Sequence, residues 1–434
     1  MIPLRPILPH LRGSLKSPLP SLMAIAHHAG VLCKPPLHRL PVRSRVAWIV
    51  LTVLTAAWVA DRSRHDDAVA PENIAAVDPF VPEVGVAASI PYFAQSYINP
   101  PGHTASSHCS VLCALPSGDL LAVWYGGSRE GAADVAVYTS RLKKGAPTWT
   151  PPVVAVDRVM AQNELDRYIK KVGNAVIFPD RLGKLWMVYV TVSVGGWSGC
   201  SLNLKISDDD GHTWGKSRRL TLNPFLNLSS LVRNKPIYAS DGRIGLPVYH
   251  EMAVKYPQIL WLTPGANGGV QDYRMRSLPE KPGLIQPTLV ALDDDRVLMM
   301  MRDVGAQRKL RTAFSNDNGW TWSATGESGL PNPDSAVDAL RLRDGRILLA
   351  YNDAARGREN LRLAISSDDG VTWTPGATLE RADNLEFSYP YLAEDSYGRI
   401  HLTYTWQRKR IKHLEFNLAW LDGNARSIDA AVSQ

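Results

Sequence analysis

RDGRILLAYND, residues 343–353, decides the fold: a glycine turn is followed at once by a short apolar strand. Five further segments repeat that design: PSGDLLAVWYG (116–126), DRLGKLWMVYV (180–190), SDGRIGLPVYH (240–250), DDDRVLMMMRD (293–303) and DSYGRIHLTYT (395–405). Their turn positions Gly118, Gly183, Gly242, Asp295, Gly345 and Gly398 stand 65, 59, 53, 50 and 53 residues apart. A four-stranded blade with its loops takes that length, and a period of roughly fifty residues marks a propeller. A blade cannot bury its own apolar faces, so neighbouring blades must pack together and close a ring. Six turns predict an all-β, six-bladed β-propeller.

A second motif, S-x-D-x-G-x-T-W, fixes the phase. It occurs as Ser207–Trp214, Ser315–Trp322 and Ser366–Trp373, with a worn copy ending in Thr148–Trp149. The Asp can cap hairpin amides, the Gly takes a positive φ, and the Trp packs between strands. A calcium loop would need a longer spaced ligand series ending in Glu, which is missing. Residues 85–100 precede the first turn and are expected to supply an outer strand of the last blade, whose remaining strands come from 411–423. Closure by both chain ends removes exposed edges. Residues 424–434 read as a tail.

The 434 residues carry a formal charge of +7. Arg5, Arg12, Lys16, Lys34, Arg39, Arg43 and Arg45 precede Ala47 with no Asp or Glu among them, so the remainder is near neutral. That argues against a nucleic-acid partner, which needs a basic stripe on the folded domain. Residues 1–45 read as a basic, disordered region. VAWIVLTVLTAAWVA (46–60) is apolar and uncharged. Fifteen residues span about 22 Å as a helix, short of a full membrane crossing. With its cationic flank the stretch reads as a signal-peptide core or an inner-membrane anchor, followed by a linker over 61–84. Either way, the propeller at 85–423 is expected to be exported and periplasmic. Cys33, Cys109, Cys113 and Cys200 show no disulfide framework or metal cluster and read as buried small side chains. No cofactor or metal site is evident.

The Asp-box repeat on six blades resembles the sialidase superfamily and its BNR-repeat relatives over about residues 100–420. Sialidases bind the sugar carboxylate with three arginines. The resemblance matches the second to Arg302 in LMMMRD and the third to Arg358 in RGRENLRLAIS, while His108 in His108-Cys109-Ser110 stands where the first belongs. The tyrosine nucleophile matches Tyr389 in Tyr389-Pro390-Tyr391-Leu392. Its glutamate partner is replaced by Gln286 in IQPTL, and the acidic residue that steadies the first arginine is replaced by Thr405. Gln286 cannot take the phenolic proton as a carboxylate does, so this pattern implies a remodelled pocket.

Propeller sites gather at one mouth of the ring, and other polar residues fall there: Arg129, Glu130 and Asp134 in GGSREGAAD, Asn174, Lys235 in RNKPI, Glu251, and Asp338. Arg129, Lys235, Arg302 and Arg358 suit a carboxylate, sulfate or phosphate on a sugar, with Glu130, Asn174 and Gln286 as further binding residues. Asp134, Glu251 and Asp338 are candidates for acid or base, His108 for a proton carrier, and Tyr389 for the nucleophile. The expected partner is an acidic oligosaccharide or polysaccharide. Three functions stay open: an exo-acting, sialidase-like glycoside hydrolase on an acidic or modified extracytoplasmic glycan, a noncatalytic carbohydrate- or protein-binding propeller, and a polysaccharide lyase acting on a uronic-acid glycan.

Overall fold

The structure is a computed structural model that describes residues 41–66, 69–74, 90–222, 227–266, 268–278 and 282–424. Most of residues 1–45, together with 85–89 and 425–434, fall outside them. The chain divides into two compact units, Met1–Ala60 and Asp61–Gln434. The apolar stretch lies within a helix, Val42–Asp66. Among the described residues no helix is long and apolar enough to cross a membrane.

The second unit is the six-bladed propeller. Blade one contains Ser106–Ala114, Leu120–Gly127, Ala136–Leu142 and Val153–Val156 in simple antiparallel order. Blades two, four and five repeat that order, beginning at Lys171–Pro179, Leu284–Ala291 and Asp338–Arg341. In blade three the first strand is broken into Ser230–Val232 and Ile237–Tyr238, both paired with Ile244–His250. Blade six closes the ring. Phe387–Glu394, Ile400–Trp406 and Arg410–Phe416 come from the end of the chain, and Phe93–Tyr97 from its beginning pairs with Arg410–Phe416.

The first strands of all six blades surround a narrow central channel of about 100 Å³, lined by Leu112, Ile177, Ile237, Leu289, Ala339 and Leu392, one from each blade. The strand after each glycine turn is the second of its blade, and the innermost strand precedes the turn. Both are apolar, so hydropathy could not rank them.

The Asp boxes lie between third and fourth strands and share one bonding pattern. In each, the Ser hydroxyl donates to Asp and accepts the Gly amide, and Asp accepts the Thr amide: Ser207, Asp209, Gly211 and Thr213; Ser315, Asp317, Gly319 and Thr321; Ser366, Asp368, Gly370 and Thr372. The three glycines have φ of 82°, 77° and 87°, where a Cβ would be strained.

Part of the expected linker is docked. Ile74 is buried and bridges Ala239, while Arg243 donates to the carbonyls of Val69 and Ala70. Asn318 donates to Pro71, and Ile74 to Asp294. Residues 69–74 therefore strap blades three and four at the end of the ring where the glycine turns lie. Cys109, Cys113 and Cys200 are buried, and among the described residues no group of His, Cys, Asp and Glu could hold a metal ion.

Candidate functional site

At the mouth opposite the glycine turns, first strands begin and second strands end. Four first strands carry a register break there, at His108/Val111, Gly173/Ala175, Ile285/Thr288 and Ser388/Tyr391. Within three of these bulges Cys109, Gln286 and Tyr389 have φ of 58°, 51° and 56°. A bulge re-aims a side chain and removes a residue from the ladder, which also accommodates Pro287 and Pro390 in inner strands. Left-handed backbone at a non-glycine residue costs about 1–3 kcal/mol and collects at functional sites.

Tyr389 is the centre of the cluster. Its hydroxyl accepts Gln286 Nε2 at 3.3 Å and Arg302 Nη1 at 3.3 Å. Gln286 Oε1 also accepts Arg302 Nη1 at 2.9 Å, so the amide is clamped between tyrosine and arginine. Burial disfavours the Arg302 charge, but Tyr389 and Asp334, which accepts Arg302 Nε at 2.5 Å, outweigh it and raise the pKa. Arg358 donates Nη1 to Glu386 at 3.1 Å and Nη2 to the Asp334 carbonyl at 2.9 Å, with its guanidinium 5.6 Å from the Tyr389 ring.

The His108 ring meets the Tyr389 ring edge-on, 4.4 Å between centroids. It is fully buried, and neither ring nitrogen has a partner among the described residues. Burial holds its pKa well below the ordinary imidazole range, and Arg408, Arg358, Arg233 and Arg302 push the same way. The ring is therefore neutral. Thr405, which replaces the expected acidic residue, accepts the Cys109 amide at 3.0 Å and pins the bulge beside His108.

The other candidates separate into three groups. Asn174 and Glu251 adjoin Tyr249: Asn174 Nδ2 donates to its hydroxyl at 3.4 Å, as does Gln286. Burial and then Glu251 push the Tyr249 hydroxyl well above its ordinary value. Glu251 is thus two side chains removed from Tyr389. Asp134 and Arg129 belong to the exposed 128–134 loop, where Asp134 accepts the Ser128 hydroxyl and amide, both at 2.9 Å. Those bonds lower its pKa, the hydroxyl first. Asp338 is fully buried and filled by Lys235 at 2.5 Å, the Thr288 hydroxyl at 2.7 Å and the Leu392 amide at 2.7 Å. With three bonds it ties its own blade to three others, and its geometry is that of a support rather than of a proton donor to a ligand. Lys235, neutralised by Asp338 and lying over Tyr391, supports the same junction.

Four contributors escaped the sequence reading. Arg408 accompanies Glu130 and Glu386, at 2.7 Å each. Arg233 is buried, donates to the Pro390 carbonyl at 2.7 Å and lies 5.4 Å from the Tyr389 ring. Asp334 anchors Arg302, and Tyr249 is a hydrogen-bond relay. Arg408 sits in QRKR, which resembles a solvated basic turn. Arg233 stands two residues before Lys235 in the segment that breaks the third inner strand, and that interruption was its only signal.

An all-β propeller with Asp boxes and a cationic, tyrosine-centred mouth defines the class. The chain belongs to the BNR repeat-like domain family, whose model matches residues 118–402. It is 25% identical over 426 residues to a sialidase of Micromonospora viridifaciens, covering 90% of this chain and 62% of that protein. The chain thus spans under two thirds of that relative's length. Among solved structures, the Hadza microbial sialidase Hz136 matches with a TM-score of 0.64 at 18% identity, over 75% of this chain and 69% of the other. The intramolecular trans-sialidase of Ruminococcus gnavus, solved with oseltamivir carboxylate, matches with a TM-score of 0.57 at 14% identity, over 75% and 98%. At these identities the structural likeness speaks for the fold.

Proposed function

We propose that this protein is a sialidase-like, exo-acting glycoside hydrolase that takes an acidic sugar at the Tyr389 mouth. The observation that carries the reading is the clamp of Tyr389, Gln286 and Arg302, with Arg358 beside it. Two guanidiniums facing one tyrosine suit a sugar that carries an anionic group next to the carbon under attack. In the reaction, the Tyr389 oxygen bonds to the anomeric carbon as the glycosidic bond breaks, and the leaving oxygen takes the proton that the tyrosine hydroxyl gives up. Water then displaces the tyrosine and restores its hydroxyl. Asp134, on the exposed loop, rests as a carboxylate because the Ser128 bonds lower its pKa, so its proposed role is that of a base toward the water that releases the sugar from Tyr389.

Gln286 sets the limit of this chemistry. Its amide orients the hydroxyl and cannot accept the proton, so ordinary sialosides are turned over far more slowly than by an enzyme with a carboxylate there. His108 is a poor substitute for that base: it meets the tyrosine ring rather than its hydroxyl, and burial with four nearby arginines disfavours its protonated form. The same glutamine favours the second reading, a noncatalytic binder of acidic glycans. The apolar 46–60 segment is proposed to direct export, so that the ligand is met outside the cytoplasm.

The test is to incubate the full chain with acidic oligosaccharides and weigh the products. A gain of water across the cleaved bond supports hydrolysis. An unsaturated product replaces it with elimination, and saturable binding without products leaves the binder.

A further inference from the structure

This inference rests on the acidic-sugar reading and deepens it. Arg408 lies in the tight turn after Ile400–Trp406, where Gln407 and Arg408 have φ of 53° and 55°. The turn is fixed by backbone alone: the Gln407 amide donates to the Glu386 carbonyl at 2.7 Å, and the Ser107 amide donates to the Arg408 carbonyl at 2.8 Å. Ser107 immediately precedes His108, so the turn of blade six is stitched to the start of blade one. The Arg408 side chain is consequently free of any duty in holding that turn. It donates Nε to Glu386 and Nη1 to Glu130, each at 2.7 Å. The other oxygen of Glu386 takes Arg358 at 3.1 Å, so one carboxylate spans two guanidiniums.

Two observations aim Arg408 at the site. Its carbonyl accepts the amide of Ser107, next to His108 whose ring contacts Tyr389, and its side chain shares Glu386 with Arg358. Its side chain is also the most open of the three, 37% exposed against 20% for Arg358 and 13% for Arg302. We propose that Arg408 is a specificity-determining residue: it supplies a third guanidinium for the ligand's anionic group, from blade six, where the inner strand of blade one offers only neutral His108. Glu130 and Glu386 hold it extended before the ligand arrives, which lowers the ordering cost of binding. A lysine keeps the charge but loses the planar fork.

The test is titration of the full chain and of Arg408→Ala and Arg408→Lys with oseltamivir carboxylate, its ethyl ester, which lacks the carboxylate charge, and inorganic sulfate. Arg408→Ala is expected to weaken the carboxylate and sulfate by about tenfold or more and to leave the ester unchanged, with Arg408→Lys intermediate. Equal losses for acid and ester, or no loss for either, overturn the proposal, because Arg408 then acts only on the shape of the mouth. If the wild type takes neither organic probe but binds sulfate in an Arg408-dependent way, the sugar reading fails and this inference stands. A wild type with no saturable sulfate site overturns the inference.

Discussion

Tyr389 holds a left-handed backbone, φ 56°, directly before Pro390, and everything around it serves to keep it there. Arg233 grips the Pro390 carbonyl, and Gln286 and Arg302 grip the hydroxyl. Tyr389→Phe should leave the fold intact, abolish any turnover and reduce ligand affinity only slightly; unchanged product formation by this variant rules out the tyrosine as nucleophile. Arg302→Ala and Arg358→Ala should each weaken an acidic ligand by ~2–5 kcal/mol, since each truncation also strands a half-buried carboxylate, Asp334 or Glu386. Equal affinity of the double variant for the true ligand contradicts the pocket. At this scale the sequence was informative where a residue sat in a recognisable segment: Arg302, Arg358, Gln286, His108 and Tyr389 converge. Arg408 and Asp334 were not legible, because each acts across blades from a loop whose local pattern reads as turn chemistry. Asp338 misled for the complementary reason: a carboxylate opening a strand is the same in sequence whether it faces a ligand or a lysine.

Among elements, the inner-strand bulge is what turns a structural repeat into a site. Its register break at Cys109, Asn174, Gln286 and Tyr389 recurs at the same depth in four blades. Sequence shows these strands poorly, since Pro287 and Pro390 interrupt their apolar runs, while the second strands after the turns, Pro247 of blade three aside, are unbroken. The Asp boxes, by contrast, were fully legible: a fixed spacing of Ser, Asp, Gly and Thr closes a local set of bonds that needs no tertiary partner. Asp317→Ala removes the acceptor for Ser315 and for the Thr321 amide. It should cost about 1–3 kcal/mol of unfolding free energy, measured by denaturant titration, without altering ligand affinity. A loss of affinity at unchanged stability assigns the box a role in the site.

For the whole molecule, the ring is shut by Phe93–Tyr97 on Arg410–Phe416, over a buried chain in which His413 bonds His401 at 3.1 Å and Ser96 at 3.4 Å. Burial, and then His401, holds His413 well below its ordinary value, as burial does first for His108. An imidazole with a depressed folded pKa contributes stability that is complete above its unfolded value and lost as pH falls toward the folded one. Each therefore adds about 1.4 kcal/mol per pH unit to the acid slope below pH ~6.5. Glu394 opposes them: burial raises it to about 7, so its contribution is present below its unfolded pKa and fades as pH rises through the folded one. His413→Gln should flatten the stability profile between about pH 5 and 6.5 by the share of one histidine. An unchanged slope means the closing seam does not titrate there.

The central claim is that the Tyr389 site is built for an acidic sugar yet lacks the carboxylate that activates the tyrosine. Turnover of an activated aryl sialoside by the wild type and Gln286→Glu tests it most directly. The wild type should fall well below the usual enzyme range of ~1–10³ per second, and Gln286→Glu should raise the rate by restoring a base beside the hydroxyl. A wild type within that range, or a Gln286→Glu variant slower than the wild type, contradicts the account.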